Sequence, residues 1–157
     1  ACCALDSAAR RRSTAALGGT EMFTQSLASD DWHSAQTSLS DGDVSDILHR
    51  WQSEGAKLAF GYFRSRPGGV IQTGLATVFR LTPALLTLDT QGSRLAILLQ
   101  GARFRYGNLG FLKPDNRGAY DIDGLSIFLS NSDWVFLFED SGQMNVAQLG
   151  QRFASLP

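Results

Sequence analysis

The chain has 157 residues, 43% hydrophobic and 18% charged, which is the length and make-up of one globular domain with enough apolar residues for a core. No apolar run reaches the roughly eighteen residues that a membrane-spanning helix needs. The formal charge of −1 conceals an asymmetry: residues 1–54 carry −4, residues 55–106 carry +6 and residues 107–157 carry −3. A basic centre between acidic ends either attracts an anionic partner or is neutralised by the ends folding back on it.

Residues 1–38 are rich in Ala, Ser, Thr, Asp and Gln, hold the Arg10-Arg11-Arg12 run and show no sustained apolar period. That composition predicts a disordered or loosely packed tail, and residues 39–157 a single domain. Met22 is an alternative initiator, which would make Ala1–Glu21 translated upstream sequence; the segment lacks the apolar stretch of a secretory signal. Cys2 and Cys3 are the only cysteines. Disulfide geometry strains between neighbours in sequence and neither has a partner elsewhere, so no disulfide framework and no zinc spacing is expected. A cysteine-free domain is compatible with a cytoplasmic setting.

From Ser40 the pattern becomes helical. Ser40-Asp41-Gly42-Asp43 supplies capping side chains, and Val44, Ile47, Leu48 and Trp51 form one apolar stripe that ends at Gly55. The spacing predicts a helix over Asp43–Glu54. Beyond it the period changes to two. Leu58, Phe60 and Tyr62 open a strand that stops at the turn Arg66-Pro67-Gly68-Gly69. Val70–Phe79 reads as a long strand bent at Gly74, Ala84–Leu88 as a third, and Arg94–Leu99 as a fourth that continues irregularly to Tyr106. Residues 107–124, rich in Gly, Asn and Asp, are expected to be a solvated surface loop. Leu125–Leu129 and Trp134–Phe138 bracket a polar hairpin turn, and Val146, Leu149 and Phe153 have the spacing of a last short helix. The expected fold is mainly β (α+β): a short N-terminal helix, an antiparallel, strongly bent small barrel or curved sheet, and a short C-terminal helix.

Chemistry is sparse along this chain. His33 falls in the tail and His49 on the helix beside its apolar stripe, neither with Cys or carboxylates at metal-ligand spacing. There is no G-x-S-x-G elbow and no P-loop. Asp115, Asp121 and Asp123 resemble part of a calcium loop but lack the closing Glu and flanking helices, so a solvated loop is the expectation, with a dispersed catalytic site there as the alternative. The chain is therefore read as non-enzymatic, with no metal and no cofactor. The residues singled out for binding are Arg64 and Arg66 at the end of the first strand, and Arg103, Arg105 and Tyr106 at the end of the fourth. If those ends meet, Arg beside aromatics composes a surface for single-stranded nucleic acid or another anionic partner. The competing reading is a charged edge that discourages aggregation. A homo-oligomer and an accessory protein–protein interaction domain are further expectations.

From Asp43 to Tyr106 the order of elements, with Gln72-Thr73-Gly74-Leu75-Ala76-Thr77-Val78-Phe79 as the glycine-bent second strand, resembles the Sm-like (SH3-like) small barrels, in which an N-terminal helix caps a bent barrel. The resemblance implies a small barrel more than RNA binding. The family's aspartate and RNA-contacting asparagine would fall at Arg80 and near Ala84, and neither is present. Trp51-Gln52-Ser53-Glu54-Gly55 and Phe104-Arg105-Tyr106-Gly107 are also similar to small bacterial proteins with barrel-like strands, which implies no activity.

Overall fold

The computed structural model describes residues 36–64, 69–111, 113, 115, 117–118 and 120–145. Its elements are β1 (Gln36–Leu39), α1 (Asp41–Glu54), β2 (Leu58–Arg64), β3 (Gly69–Leu81), β4 (Leu85–Thr90), β5 (Ser93–Leu98), β6 (Arg103–Asn108), β7 (Asp123–Phe128) and β8 (Trp134–Glu139). Residues 1–35, Arg66 and the expected C-terminal helix at 146–157 lie outside the described residues.

The helix forms where its stripe predicts, two residues earlier. Ser40 and Asp43 make a reciprocal capping box, Asp43 N–H donating to Ser40 Oγ at 3.2 Å and Ser40 N–H to Asp43 Oδ2 at 3.1 Å. Gly55 closes it in the left-handed conformation at φ 60°. Val44, Leu48 and Trp51 are its buried face. It is not the first element, however. β1 precedes it and pairs with β6, so Gln36–Ser38, assigned to the tail by composition, belong to the sheet. Their polar side chains carry no strand signal; only the ladder to β6 reveals them.

All eight strands form one antiparallel sheet in the order β1-β6-β7-β8-β2-β3-β4-β5. Of the expected small barrel or curved sheet, the antiparallel sheet stands, while the closed barrel and the consecutive strand order are corrected here. β2–β5 and β6–β8 are two meanders joined by the β2–β8 ladder, and no ladder joins β1 to β5, so the sheet is open. It is nevertheless rolled. Residues 99–102 carry the chain from β5, eighth in the sheet, to β6, second in it. In a flat sheet those strands would stand about 29 Å apart at ordinary strand spacing. The connection spans at most about 18 Å when fully extended. Only curling brings the two strands within reach.

Curling gives the sheet an inside and an outside. Inner residues of β2–β8, among them Leu58, Phe60, Leu86, Leu88, Ile97, Phe104, Leu125, Ile127, Val135 and Leu137, form one core with Val44, Leu48 and Trp51 of α1. The outer face of β2 and β8 holds a second, aromatic cluster: Phe63, Trp134, Phe136 and Phe138, with Leu109, Phe111 and Ile122. These last three correct the reading of 107–124 as a solvated loop. Leu109 N–H donates to Ile122 O at 2.9 Å and Tyr120 N–H to Phe111 O at 2.7 Å, so the connection continues as an irregular hairpin and covers the outside of β8.

The bends are not where glycine suggests. Gly74 sits in regular register opposite Phe60, where a Cβ would stand 3.3 Å from the Phe60 ring. The register instead skips Ile71 and Phe79, one extra residue at each bulge. Both are 44% exposed, because a bulged residue leaves the alternation that would bury it. Gly124 has a different task. A Cβ there would lie 2.6 Å from the backbone oxygen of Leu137 and 2.7 Å from Leu109. Gly124→Ala is therefore expected to lower stability by about 1–3 kcal/mol, since a backbone oxygen cannot step aside as a side chain does. Urea denaturation measures it, and a wild-type midpoint would contradict the packing described.

Candidate functional site

The register decides which arginines meet. Phe63 lies opposite Trp134, Trp134 opposite Phe128, and Phe128 opposite Arg103. Arg64 at the end of β2 and Arg103 at the start of β6 thus occupy the same end of the sheet, three strand spacings or about 14 Å apart. Their faces differ. Phe104 is buried in the inner core with Tyr106 packed against it, so the pleat turns Arg103 and Arg105 outward. Arg64 follows Tyr62, which packs on the inner core, and so falls on the inner side. Tyr106 is not brought to Arg103. Arg66 lies outside the described residues.

On the outer face Arg103 heads a row of three aromatics across adjacent strands. The Phe128 and Trp134 rings stack at 6.4 Å between centroids, and Trp134 and Phe63 at 5.1 Å. Trp134 and Phe63 are buried and Phe128 is half-buried, so the row is a firm base with its open end under Arg103. Arg105, half-buried, stands between Ser38 of β1 and Ser126 of β7. Beside this end Asp133 accepts hydrogen bonds from Tyr62 Oη at 3.1 Å and Asn131 Nδ2 at 3.0 Å. Arg64 and Arg103 are both exposed.

The other end of the sheet gathers a constellation that sequence reading did not contain. The Trp51 indole N–H donates to Glu139 Oε1 at 2.7 Å, and Arg50 Nη2 stands 3.8 Å from the same oxygen. This contact ties the last turns of α1 to the end of β8 across 88 residues, a separation that no local pattern encodes. Tyr106 belongs to this end. Burial foremost, then the Asp123 charge, raises its phenol above the ordinary value of 10.0, with Arg50 acting in the opposite sense and Glu139 adding to the rise. Tyr62 is raised too, first by burial and then by its hydrogen bond to the Asp133 carboxylate.

A groove of about 350 Å³ opens between the first half of α1, the β3–β4 turn at Leu81-Thr82-Pro83, and Leu99 and Phe104. Asp41, Ser45 and His49 succeed one another along its helix side at intervals of four, over an apolar floor of Val44 and Leu48. No hydrogen bond joins these three polar residues, so they do not form a relay. His33 lies outside the described residues. The three loop aspartates part company: Asp115 Oδ1 accepts from Arg117 N–H at 3.0 Å, Asp121 Oδ1 from Asn108 Nδ2 at 3.4 Å, and Asp123 starts β7. Among the described residues, no group of three or more His, Cys, Asp or Glu side chains is placed to hold a metal ion, and no helix is long and apolar enough to cross a membrane.

No protein-family model, curated protein or solved structure matches the chain. Its functional reading rests on its own geometry.

Two outcomes follow from the Trp51–Glu139 contact and the raised phenols. Trp51→Phe keeps most of the buried ring and removes the donor, which is expected to cost about 1.5–3 kcal/mol because the acceptor is charged. Arg50→Ala breaks only an ion pair whose side chains are more than half exposed, and should cost less than about 1 kcal/mol. Equal losses in urea unfolding would contradict this ranking. Because the folded phenols of Tyr62 and Tyr106 titrate above the unfolded ones, their contribution is intact below the ordinary 10.0 and is lost as pH rises through the folded values. Native phenolate absorbance should therefore trail that of the urea-unfolded chain on alkaline titration. Coincident curves would refute the assignment.

Proposed function

We propose that the chain is a non-catalytic binding module that takes an anionic partner, single-stranded nucleic acid above all, at the sheet end bearing Arg64 and Arg103. The observation that carries this reading is the row Arg103–Phe128–Trp134–Phe63, an exposed guanidinium at the head of stacked rings. Guanidinium groups pair with phosphate in a planar fork, and Phe128, the half-buried ring opposite Arg103, is the one member of the row with surface left for a base, the buried Trp134 and Phe63 rings backing it. The central segment's +6 balance draws a polyanion toward this surface. Asp133 is the acidic side chain nearest in register, and it is engaged by Tyr62 and Asn131.

The test is fluorescence anisotropy of labelled oligo-dT and oligo-U with the full chain across a salt series. With about two phosphates neutralised on a single strand, one at each arginine, log K should fall with log salt at a slope near −1.4, so a fourfold rise in salt weakens binding about sevenfold. Arg103→Ala and Arg64→Ala should each reduce both affinity and slope. No anisotropy change at low salt, or a salt-independent signal, would overturn the proposal.

A further inference from the structure

β5 is the last strand of the sheet, and β4 is the one described element packed along it. Leu99 N–H donates to Ala84 O at 2.9 Å, and Leu85 lies opposite Leu98. In an antiparallel ladder hydrogen-bonded pairs alternate with non-bonded ones, so Ile97, Leu95 and Ser93 share the bonding phase of Leu99. The N–H and C=O of Arg94, Ala96 and Leu98 therefore point away from β4, toward the free edge. The same three residues are exposed, while Leu95 and Ile97 turn into or against the core. Leu98 is 68% exposed, more than Ile71 or Phe79. The edge thus offers three donor–acceptor positions in succession beside one uncovered leucine.

The row is self-complementary. When a second β5 is laid antiparallel with a two-fold axis through Ala96, Ala96 faces Ala96 and Arg94 faces Leu98 of the other copy. All three edge residues pair, and each pair exchanges two backbone hydrogen bonds. Shifting the axis to Arg94 sets two arginines opposite each other, which is repulsive. Shifting it to Leu98 runs the ladder into the turn at Gln100-Gly101. The Arg94 guanidinium lies 3.6 Å from the centre of the Phe79 ring, so its charge is drawn back over β3, away from the free edge, and does not oppose a second copy paired about Ala96. We propose that the free edge of β5 is a self-association surface, pairing with β5 of a second copy of this chain about a two-fold axis at Ala96. Six-residue strands make a small interface, so the dimer is weak and depends on concentration. The proposal is independent of the anion-binding reading, since it rests on the backbone phase of β5 and on Leu98, and uses neither Arg64, Arg103 nor the row of rings.

Sedimentation velocity of the full chain over a micromolar to submillimolar series should show the mass rising from 17.0 kDa toward twice that value. Ala96→Pro removes an N–H that the β4 ladder does not use, and Leu98→Lys replaces the exposed apolar side chain of the edge row with a solvated charge; both should remain monomeric throughout with an unchanged circular-dichroism spectrum. Leu98→Lys carries the test alone if Ala96→Pro does not fold. In a Cys2→Ser, Cys3→Ser background, Ala96→Cys should form a disulfide-linked dimer on mild oxidation and Ser93→Cys should not, because only position 96 faces itself at about 5.5 Å between Cα atoms. A wild-type monomer at every concentration, or a dimer that Leu98→Lys leaves intact, would overturn the proposal. So would capture of an acidic peptide on β5 by a chain that remains monomeric.

Discussion

The four residues between β5 and β6 constrain everything else in this fold. They join strands at nearly opposite sides of an eight-stranded sheet, and their reach is shorter than the width of that sheet laid flat. The sheet must therefore curl, and curling creates the concave inner face on which α1 settles. The apolar stripe of α1 then fills that interior together with side chains from seven of the strands. Burial of Trp51 at 1% exposure with its indole on Glu139 fixes where along the roll the helix rests.

A rolled sheet has an outer surface too large for one helix to affect, and the protein treats it unevenly. Over β2 and β8 it is covered by the β6–β7 connection, so these strands are buried on both faces and read as nearly continuous apolar runs, LAFGYF and WVFLF. The covering segment lies close because Gly124 has no side chain to hold Leu109 away. Over β4 and β5 the outer face bears Leu98 uncovered. The two bulges, at Ile71 and Phe79, bend β3 between these regions and leave an apolar residue exposed at each.

The functional surfaces follow from the same division. Arg103 stands at the margin of the covered aromatic face, opposite Phe128 at the end of the row of stacked rings. The β5 edge stands at the uncovered side, where backbone groups and Leu98 share one row. The first is the surface proposed for a polyanion and the second the one proposed for an identical strand; one carries an exposed arginine beside stacked rings, the other a row of unpaired backbone groups.

Much of the local structure was legible in the sequence. The helix from its capping box to Gly55, and the approximate places of β2–β5, β7 and β8, follow from capping chemistry and apolar period, which are properties of neighbouring residues. Parts of the outer hairpin were legible but misread: Leu109, Phe111 and Ile122 alternate like strand residues amid Gly, Asn and Asp that argued for solvent. The candidate site was legible only as residue types. Arginine and aromatic side chains at two strand ends can be listed from sequence, yet whether they share a face depends on register. A pleat reverses direction with every residue, which is how Tyr106 parts from Arg103. The order of strands, the β1–β6 ladder, the open seam and the Trp51–Glu139 bond were decided by tertiary structure alone. Each joins residues far apart in the chain, and no short window of sequence contains both partners.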